Sequence, residues 1–377
     1  MSLPDPIRSI VLERPAAIHM GIGVTVQVGA FAAARGIERT LVIATRSCRA
    51  RIGELGLTSE IALFDGIDGE PDTRTLDAAR AVADAFAPDM VVGFGGGSAM
   101  DLAKLVAVLT GTSVVLEEIV GIGRAPPRRA VLAQVPTTAG TGSEAGPRAL
   151  VSDTATGAKL AVDSPYMMAD IAALDPRMSV TVPPAITAET GLDALTHCVE
   201  AFTNVKAHPA IDLYAREGIR LIGRYLRCAV EQGDDLEARG GVALAALYGG
   251  YCLGPVNTAA GHAVAYPLST RHGLSHGLAN ALIFPHMLAF NASARPGRTR
   301  EVLDLLGLGR VGGNAIFDAA SGFCRSLGLE TGLAAHGIGE QDIDAMAGEA
   351  IGIRRLLDNN PREVSRDDIA RLYRAAL

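Results

Sequence analysis

Met90–Leu109 reads MVVGFGGGSAMDLAKLVAVL and runs through three local signals without a gap. Met90 to Phe94 (MVVGF) has the length and residue types of a buried strand. Gly95-Gly96-Gly97-Ser98 breaks it, and from Ala99 to Leu109 the apolar residues return at helical spacing. Strand, glycine turn and helix N-terminus in that order build an anion cradle. Glycine lets backbone approach a pyrophosphate, while unpaired amides and the helix dipole face it. The six-residue dinucleotide fingerprint with spaced glycines is absent, so the turn read alone also fits an ordinary tight turn.

On the N-terminal side, Thr40 to Thr45 (TLVIAT) reads as a second buried strand and Thr73 to Phe86 as a helix. On the C-terminal side, the proline-bearing loop RAPPRR precedes a strand at Val131 to Val135 (VLAQV), which exits into Pro136 to Glu144, PTTAGTGSE. That exit offers backbone amides and three threonine hydroxyls at the sheet edge where ligands lie in open α/β sheets. The alternation predicts a largely parallel sheet covered by helices. Arg148 to Val162 reads as a hairpin turning at Asp153 to Gly157. After Pro183 and Pro184 the composition shifts, and from Ala188 the chain reads as helical, with boundaries expected at Pro209, Gly233, Pro255, Pro267, Pro285 and Pro296. At 377 residues two domains are expected: residues 1–183, α/β and dinucleotide-binding, and 184–377, helical and metal-binding. Arg295 to Arg300 (RPGRTR) is expected to be a solvated loop.

The helical half concentrates chemistry between Gly261 and His286, GHAVAYPLSTRHGLSHGLANALIFPH, where four histidines fall among apolar residues. In TGLDALTHCVEAF, Asp193 and His197 stand four apart, so carboxylate and imidazole share one helix face. With His262 and His276 they make an Asp/His/His/His donor set, which suits Fe(II) or Zn(II). Each of the two later histidines lies beside a glycine in a segment too apolar for a solvated face, and a buried imidazole needs a partner. Glu200 is expected either to support these ligands or to lie exposed on its helix. Cys198 and Cys252 read as small core residues, since neither has a second cysteine spaced to chelate with it.

Formal charge is −7 with both signs interspersed, so no basic tract points to nucleic acid or an anionic membrane. The N-terminal run MSLPDPIRSIVLERP carries an acid at position 5 and no unbroken apolar segment, so no secretory signal is expected. Five cysteines without paired spacing favour reduced thiols and a cytoplasmic location.

GGGSAMDLAK, VPTTAGTGSE, TGLDALTHCVEAF, GHAVAYPLS, HGLANALIFPH and NPREVSRDDIARLY together resemble the iron-containing (group III) alcohol dehydrogenase family, in its order and nearly end to end. The resemblance implies a dehydroquinate synthase-like architecture, an α/β N-terminal dinucleotide-binding domain plus an all-α C-terminal domain, with the active site in the cleft between them. It implies metal ligation by Asp193, His197, His262 and His276. It implies NAD or NADP contacts at Gly96, Gly97, Ser98, Asp101, Thr137, Thr138, Thr141 and Lys159. One departure stands out: many relatives carry a second histidine, with a proton-relay role, where this chain has Tyr266. A phenol with an ordinary pKa near 10 is a poorer proton acceptor at neutral pH, so Tyr266 and His272 are both candidates for the relay.

The expected reaction is hydride transfer between NAD(P) and a small carbonyl or alcohol, polarised by the metal. Thr45 stands where many NAD-preferring relatives carry an aspartate, and Arg46 follows, so use of NADPH at least equal to NADH is expected. Arg271, in STRHGLSH, and Arg148 are cations near the expected site, which predicts an anionic group on the substrate unless Arg271 pairs with a carboxylate of its own chain or a neighbouring subunit. Maleylacetate reductases share the resemblance, most visibly in LYGGYCLG, but they typically lack the aspartate ligand and work without metal. A lyase of the dehydroquinate synthase type and a non-catalytic nucleotide-binding protein are the other readings. A homodimer is expected.

Overall fold

The computed structural model describes residues 6–67 and 69–377. The N-terminal reading of residues 1–5 lies outside them. The chain forms two compact units, Leu12–Thr181 and Val182–Leu377, with residues 6–11 grouping with the second.

In the first unit the strands are β1 (Ala17–Met20), β2 (Arg39–Thr45), β3 (Glu60–Ile67), β4 (Met90–Gly95), β5 (Gly121–Ile122), β6 (Val131–Pro136), β7 (Arg148–Ser152), β8 (Lys159–Asp163) and β9 (Ile171–Leu174). Its helices are α1 (Gln27–Ala34), α2 (Thr73–Phe86), α3 (Gly97–Leu109) and α4 (Leu116–Ile119). Six strands form an all-parallel sheet in the order β1-β9-β6-β4-β2-β3. Covered on both faces, the central strands are apolar without interruption rather than alternating. Leu41, Ile43 and Val91 pack with Leu76 and Ala79 of α2 and Leu102 and Val106 of α3. Val42, Ala44, Val92 and Phe94 point the other way, into a cluster with Val28 and Ala32 of α1. β7 and β8 form the expected antiparallel hairpin, joined in parallel by β5.

The second unit is helical: α5 (Pro184–Thr203), α6 (Pro209–Glu231), α7 (Leu236–Leu253), α8 (Ala260–His272), α9 (His276–Asn291), α10 (Pro296–Leu305), α11 (Ala315–Ser326), α12 (Glu340–Ala350), α13 (Arg354–Leu357) and α14 (Arg366–Ala376). Pro184 opens α5, where a missing N–H costs nothing. Three expectations need correction. Pro267 and Pro285 do not end helices but sit inside α8 and α9. Both are buried, and the ~3 kcal/mol an interior proline costs is offset by the packing of helices apolar all round. RPGRTR is not a solvated loop, since Pro296 starts α10 and Arg298 is buried. Arg298 donates to both carboxylate oxygens of Asp212, at 2.9 and 2.6 Å, and stacks 4.3 Å from the Phe202 ring centroid. A buried guanidinium is tolerable when its fork meets a carboxylate in this way. Among the described residues, no helix is long and apolar enough to cross a membrane.

Candidate functional site

In the first unit β2, β4 and β6 are neighbours, and because they are parallel their exits share one edge. Thr45 ends β2, Gly95 to Ser98 lead from β4 into α3, and Thr137 to Ser143 follow β6. The glycines are dictated by closeness. A Cβ on Gly97 would lie 2.7 Å from Thr141 Cγ2, one on Gly96 would lie 3.2 Å from Thr138 Oγ1, and one on Gly95 would lie 3.0 Å from Thr45 Cγ2. Strand exit, glycine turn and threonine loop therefore meet at one place. It offers amides at the N-terminus of α3, hydroxyls and little side-chain bulk, which fits a pyrophosphate.

The threonine loop is fastened from behind by α3. Lys104, fully buried, donates to Ser143 O (2.6 Å), Ser143 Oγ (2.8 Å) and Arg148 O (2.7 Å). Asp101 accepts from Ser143 Oγ (2.5 Å) and from the Leu150 amide (2.9 Å), so both its oxygens are used within the chain. Burial pulls the Lys104 amine down and pushes the Asp101 carboxyl up, each opposed by the other's charge. Burial also pushes the neighbouring Glu144 carboxyl up to about 7. Lys159 lies apart on β8, donating to Ser152 Oγ at 2.9 Å and to Glu70. Arg46 is exposed at the start of the turn after β2.

In the second unit α5, α8 and α9 bring four side chains to one point. Oδ1 of Asp193 lies 3.7 Å from His197 Nε2, 3.6 Å from His262 Nε2 and 3.5 Å from His276 Nε2. One ligand atom from each of the four lies within 4.8 Å of all the others. These gaps are too long for hydrogen bonds but close to the ~3.4 Å edge of a tetrahedron with metal bonds of about 2.1 Å. The buried Nε2 of His262 has no hydrogen-bond partner, so the donor set fits a divalent ion on the protein's own geometry.

Close helix approach again requires glycine. A Cβ on Gly277 would meet the Glu189 carbonyl at 2.7 Å, one on Gly249 would lie 3.2 Å from His197 Cβ, and one on Gly261 would fall 2.0 Å from Glu200 Oε1. Glu200 is buried, which settles the alternative left open by the sequence. Its carboxylate accepts from the amides of Ala259 and His262 (3.1 Å for the latter), satisfying the N-terminus of α8, and lies 3.2 Å from His262 Nδ1. Sequence reasoning missed Asn280, whose amide donates to Asp193 Oδ1 at 2.8 Å. Its only signal is a position four residues after His276 on α9.

Within the group the charges act strongly on one another. Burial pushes the Asp193 carboxyl up, but the three surrounding imidazoles outweigh it and hold the group far below the usual carboxylate range. Burial pulls His197 down to about 4, so its ring is neutral at pH 7. For His262 burial acts downward, but Glu200 and Asp193 dominate and raise it to about 10. Tyr266 packs beside the group, its ring centroid 5.9 Å from that of His276. His272 ends α8 outside the four-residue group, and its buried Nε2 has no hydrogen-bond partner. Both cationic candidates are taken by carboxylates of this chain. Arg148 meets Asp163 at 2.8 Å, and Arg271 lies 3.6 Å from Glu349.

Residues 15–176 match the family "Iron-containing alcohol dehydrogenase", and residues 187–377 match "Fe-containing alcohol dehydrogenase family, C-terminal". The chain is 34% identical over 314 residues to sulfoacetaldehyde reductase of Bilophila wadsworthia (strain 3_1_6), with 81% of each chain covered. The solved structure of a 1,3-propanediol oxidoreductase superimposes with a TM-score of 0.92 at 29% identity, covering 98% of this chain and 100% of that one. Sulfoacetaldehyde reductase from Bifidobacterium kashiwanohense, solved in complex with NAD+, gives 0.89 at 28% identity, covering 98% and 99%. With both units matched and the Asp/His/His/His group assembled, the chain belongs to the iron-containing alcohol dehydrogenase family.

Proposed function

We propose that Asp193, His197, His262 and His276 hold one divalent ion, Fe(II) first and Zn(II) second, and that Gly96, Gly97, Ser98, Thr137, Thr138 and Thr141 receive the pyrophosphate of NAD or NADP. The observation that carries this reading is the convergence of one carboxylate oxygen and three imidazole nitrogens on a buried point, with no thiolate among them. On this reading residues 1–183 serve the dinucleotide and residues 184–377 the metal. The protein is an oxidoreductase acting on CH–OH groups, with small alcohols and aldehydes as its substrates.

When bound, the ion supplies Lewis acidity toward a carbonyl or alkoxide oxygen, and the nicotinamide supplies or takes the hydride. The chain's own part is positional. Asp193 stays ionised and offsets one charge of a divalent ion, leaving the centre cationic. Neutral His197 presents a lone pair, Glu200 fixes the ring of His262, and Asn280 fixes the carboxylate of Asp193. Tyr266, beside His276, holds the proton for the nascent alkoxide at its hydroxyl, with His272 as the alternative relay. Asp193 also argues against the metal-free chemistry of maleylacetate reductases. The resemblance of this chain to a sulfoacetaldehyde reductase supports a substrate with an anionic group. Five free cysteines support a cytoplasmic location. Exposed Met20, Ile22 and Val26 beside the open edge of β1 support a homodimer.

Anaerobic protein reconstituted with Fe(II) or Zn(II) should oxidise NADH or NADPH in the presence of a small aldehyde. His276→Ala should bind no stoichiometric metal by elemental analysis while keeping the far-ultraviolet circular dichroism of the wild type. Full metal content in that variant would remove His276 from the ligand set.

A further inference from the structure

The metal group is open on one side only. The side chains of Asp193, His197 and His262 are 3–6% exposed, whereas that of His276 is 27% exposed. Within the helical unit the open side is flanked by Tyr266, whose ring lies 5.9 Å from that of His276. Next to Tyr266 stands Arg355 of α13. Its guanidinium lies 5.7 Å from the Tyr266 ring centroid, and Nη2 donates to the phenol oxygen at 3.3 Å.

The neighbouring cations are already committed. Arg271 faces Glu349, which also accepts from Thr270 Oγ1 at 2.6 Å, so this glutamate ties down the last turn of α8. Arg354 pairs with Asp358, and Arg362 donates to the Phe290 carbonyl while stacking 4.0 Å from its ring. Arg355 differs. Among the described residues its guanidinium meets no carboxylate, and its one hydrogen bond goes to a hydroxyl. That bond orients the guanidinium and occupies one donor of the fork. The remaining donors of the fork suit a planar or tetrahedral oxyanion.

We propose that Arg355 is the specificity-determining anchor for an anionic group, a carboxylate or sulfonate, on a short aldehyde or alcohol whose reacting oxygen lies at the metal group. The inference rests on the reductase reading above and replaces Arg271 and Arg148 as the source of anion preference. The spacing favours short substrates, because one tyrosine ring separates the guanidinium from His276.

The test uses the metal-loaded enzyme with two acidic aldehydes, sulfoacetaldehyde and succinic semialdehyde, and two neutral ones, propanal and butanal. In Arg355→Ala, kcat/KM on the acidic pair should fall about 10- to 100-fold further than on the neutral pair, and mainly through KM, whereas any loss that comes through the Tyr266 hydroxyl falls on both pairs alike. Arg355→Lys keeps charge but loses the fork, so it should recover part of the loss, and it also carries the test if the alanine variant does not fold. Ethanesulfonate should bind the wild type in isothermal titration calorimetry and inhibit butanal reduction competitively, and both effects should be at least tenfold weaker in Arg355→Ala. Equal losses on acidic and neutral aldehydes would overturn the assignment, as would a wild type that prefers butanal and ignores ethanesulfonate. In both cases the reductase reading stands. A wild type that consumes no reduced nicotinamide with any aldehyde would overturn that reading, and this inference with it.

Discussion

Replacing Glu200 with glutamine should weaken metal binding without removing any metal ligand. The carboxylate holds three hydrogens: the amides of Ala259 and His262 and the Nδ1 proton of His262. Ala259 and Nδ1 share Oε2, while the His262 amide uses Oε1. A glutamine has one acceptor oxygen, so it can serve the Oε2 pair or the Oε1 partner but not both. The arrangement that keeps His262 oriented leaves the His262 amide facing an NH2 group, and an unsatisfied buried donor costs roughly 1–3 kcal/mol. The other arrangement frees the imidazole to rotate or change tautomer, and losing such an outer hydrogen bond typically costs about 10- to 100-fold in metal affinity, roughly 1.4–2.8 kcal/mol. Either way, Kd for Zn(II) or Co(II) should rise by about that factor in an anaerobic chelator competition, a readout independent of turnover.

Gly261→Ala supplies a control, because its new Cβ would fall 2.0 Å from Glu200 Oε1 and displace the same carboxylate. If both changes act through one contact, the double variant should bind metal no worse than the weaker single variant, a strongly non-additive cycle. Additive losses, or a Glu200→Gln variant with Kd within threefold of the wild type, would refute the claim that Glu200 acts on the metal through His262.

Two further expectations follow from the first unit. A carboxyl raised on folding contributes stability that is fully present below its unfolded pKa and is lost as pH rises through its folded pKa. Glu144, raised by burial from 4.5 to about 7, therefore costs the fold increasingly across that window, up to ~3 kcal/mol. Glu144→Gln should match the wild-type melting temperature near pH 4.5 and exceed it near pH 8; a difference independent of pH would contradict the assignment. NADPH should serve at least as well as NADH, since Thr45 puts no carboxylate at the end of β2 and Arg46 follows it; a tenfold preference for NADH in kcat/KM, about 1.4 kcal/mol, would count against this.

What the sequence could show was set by range along the chain. The strand, glycine turn and helix at Met90–Leu109, the Asp193–His197 pair one helical turn apart and the β7–β8 hairpin are local patterns, and the structure bears them out. The six-strand order is not local. β1, β3 and β9 were unread as strands because AIHM and IAAL are too short to carry a period and EIALFDGI gains its strand from pairing with β2. Proline misled where tertiary packing overrides a local penalty, as in α8 and α9. RPGRTR looked solvated because the partner of Arg298, Asp212, lies 86 residues away. Arg271 looked available to a substrate for the same reason, with Glu349 far along the chain.

The two halves solve one problem with opposite signs. Backbone that faces a ligand here is made of glycine, threonine and alanine, which have little side chain of their own to hold it in place. Around the nucleotide edge the support is a buried cation: Lys104 spends all three of its donors on the Ser143 and Arg148 carbonyls and the Ser143 hydroxyl. Around the metal the support is a buried anion, Glu200, which takes up the unpaired amides that open α8. Each of these ions sits on the helix packed behind the segment it supports, and each is hydrogen-bonded within the fold. Lys104 belongs to the helix that the glycine turn opens, and Glu200 to the helix that carries Asp193 and His197. Both segments are thereby referenced to the element that bears the rest of their site, which is why a single buried charge in each half fixes geometry that the ligand-facing residues cannot fix themselves.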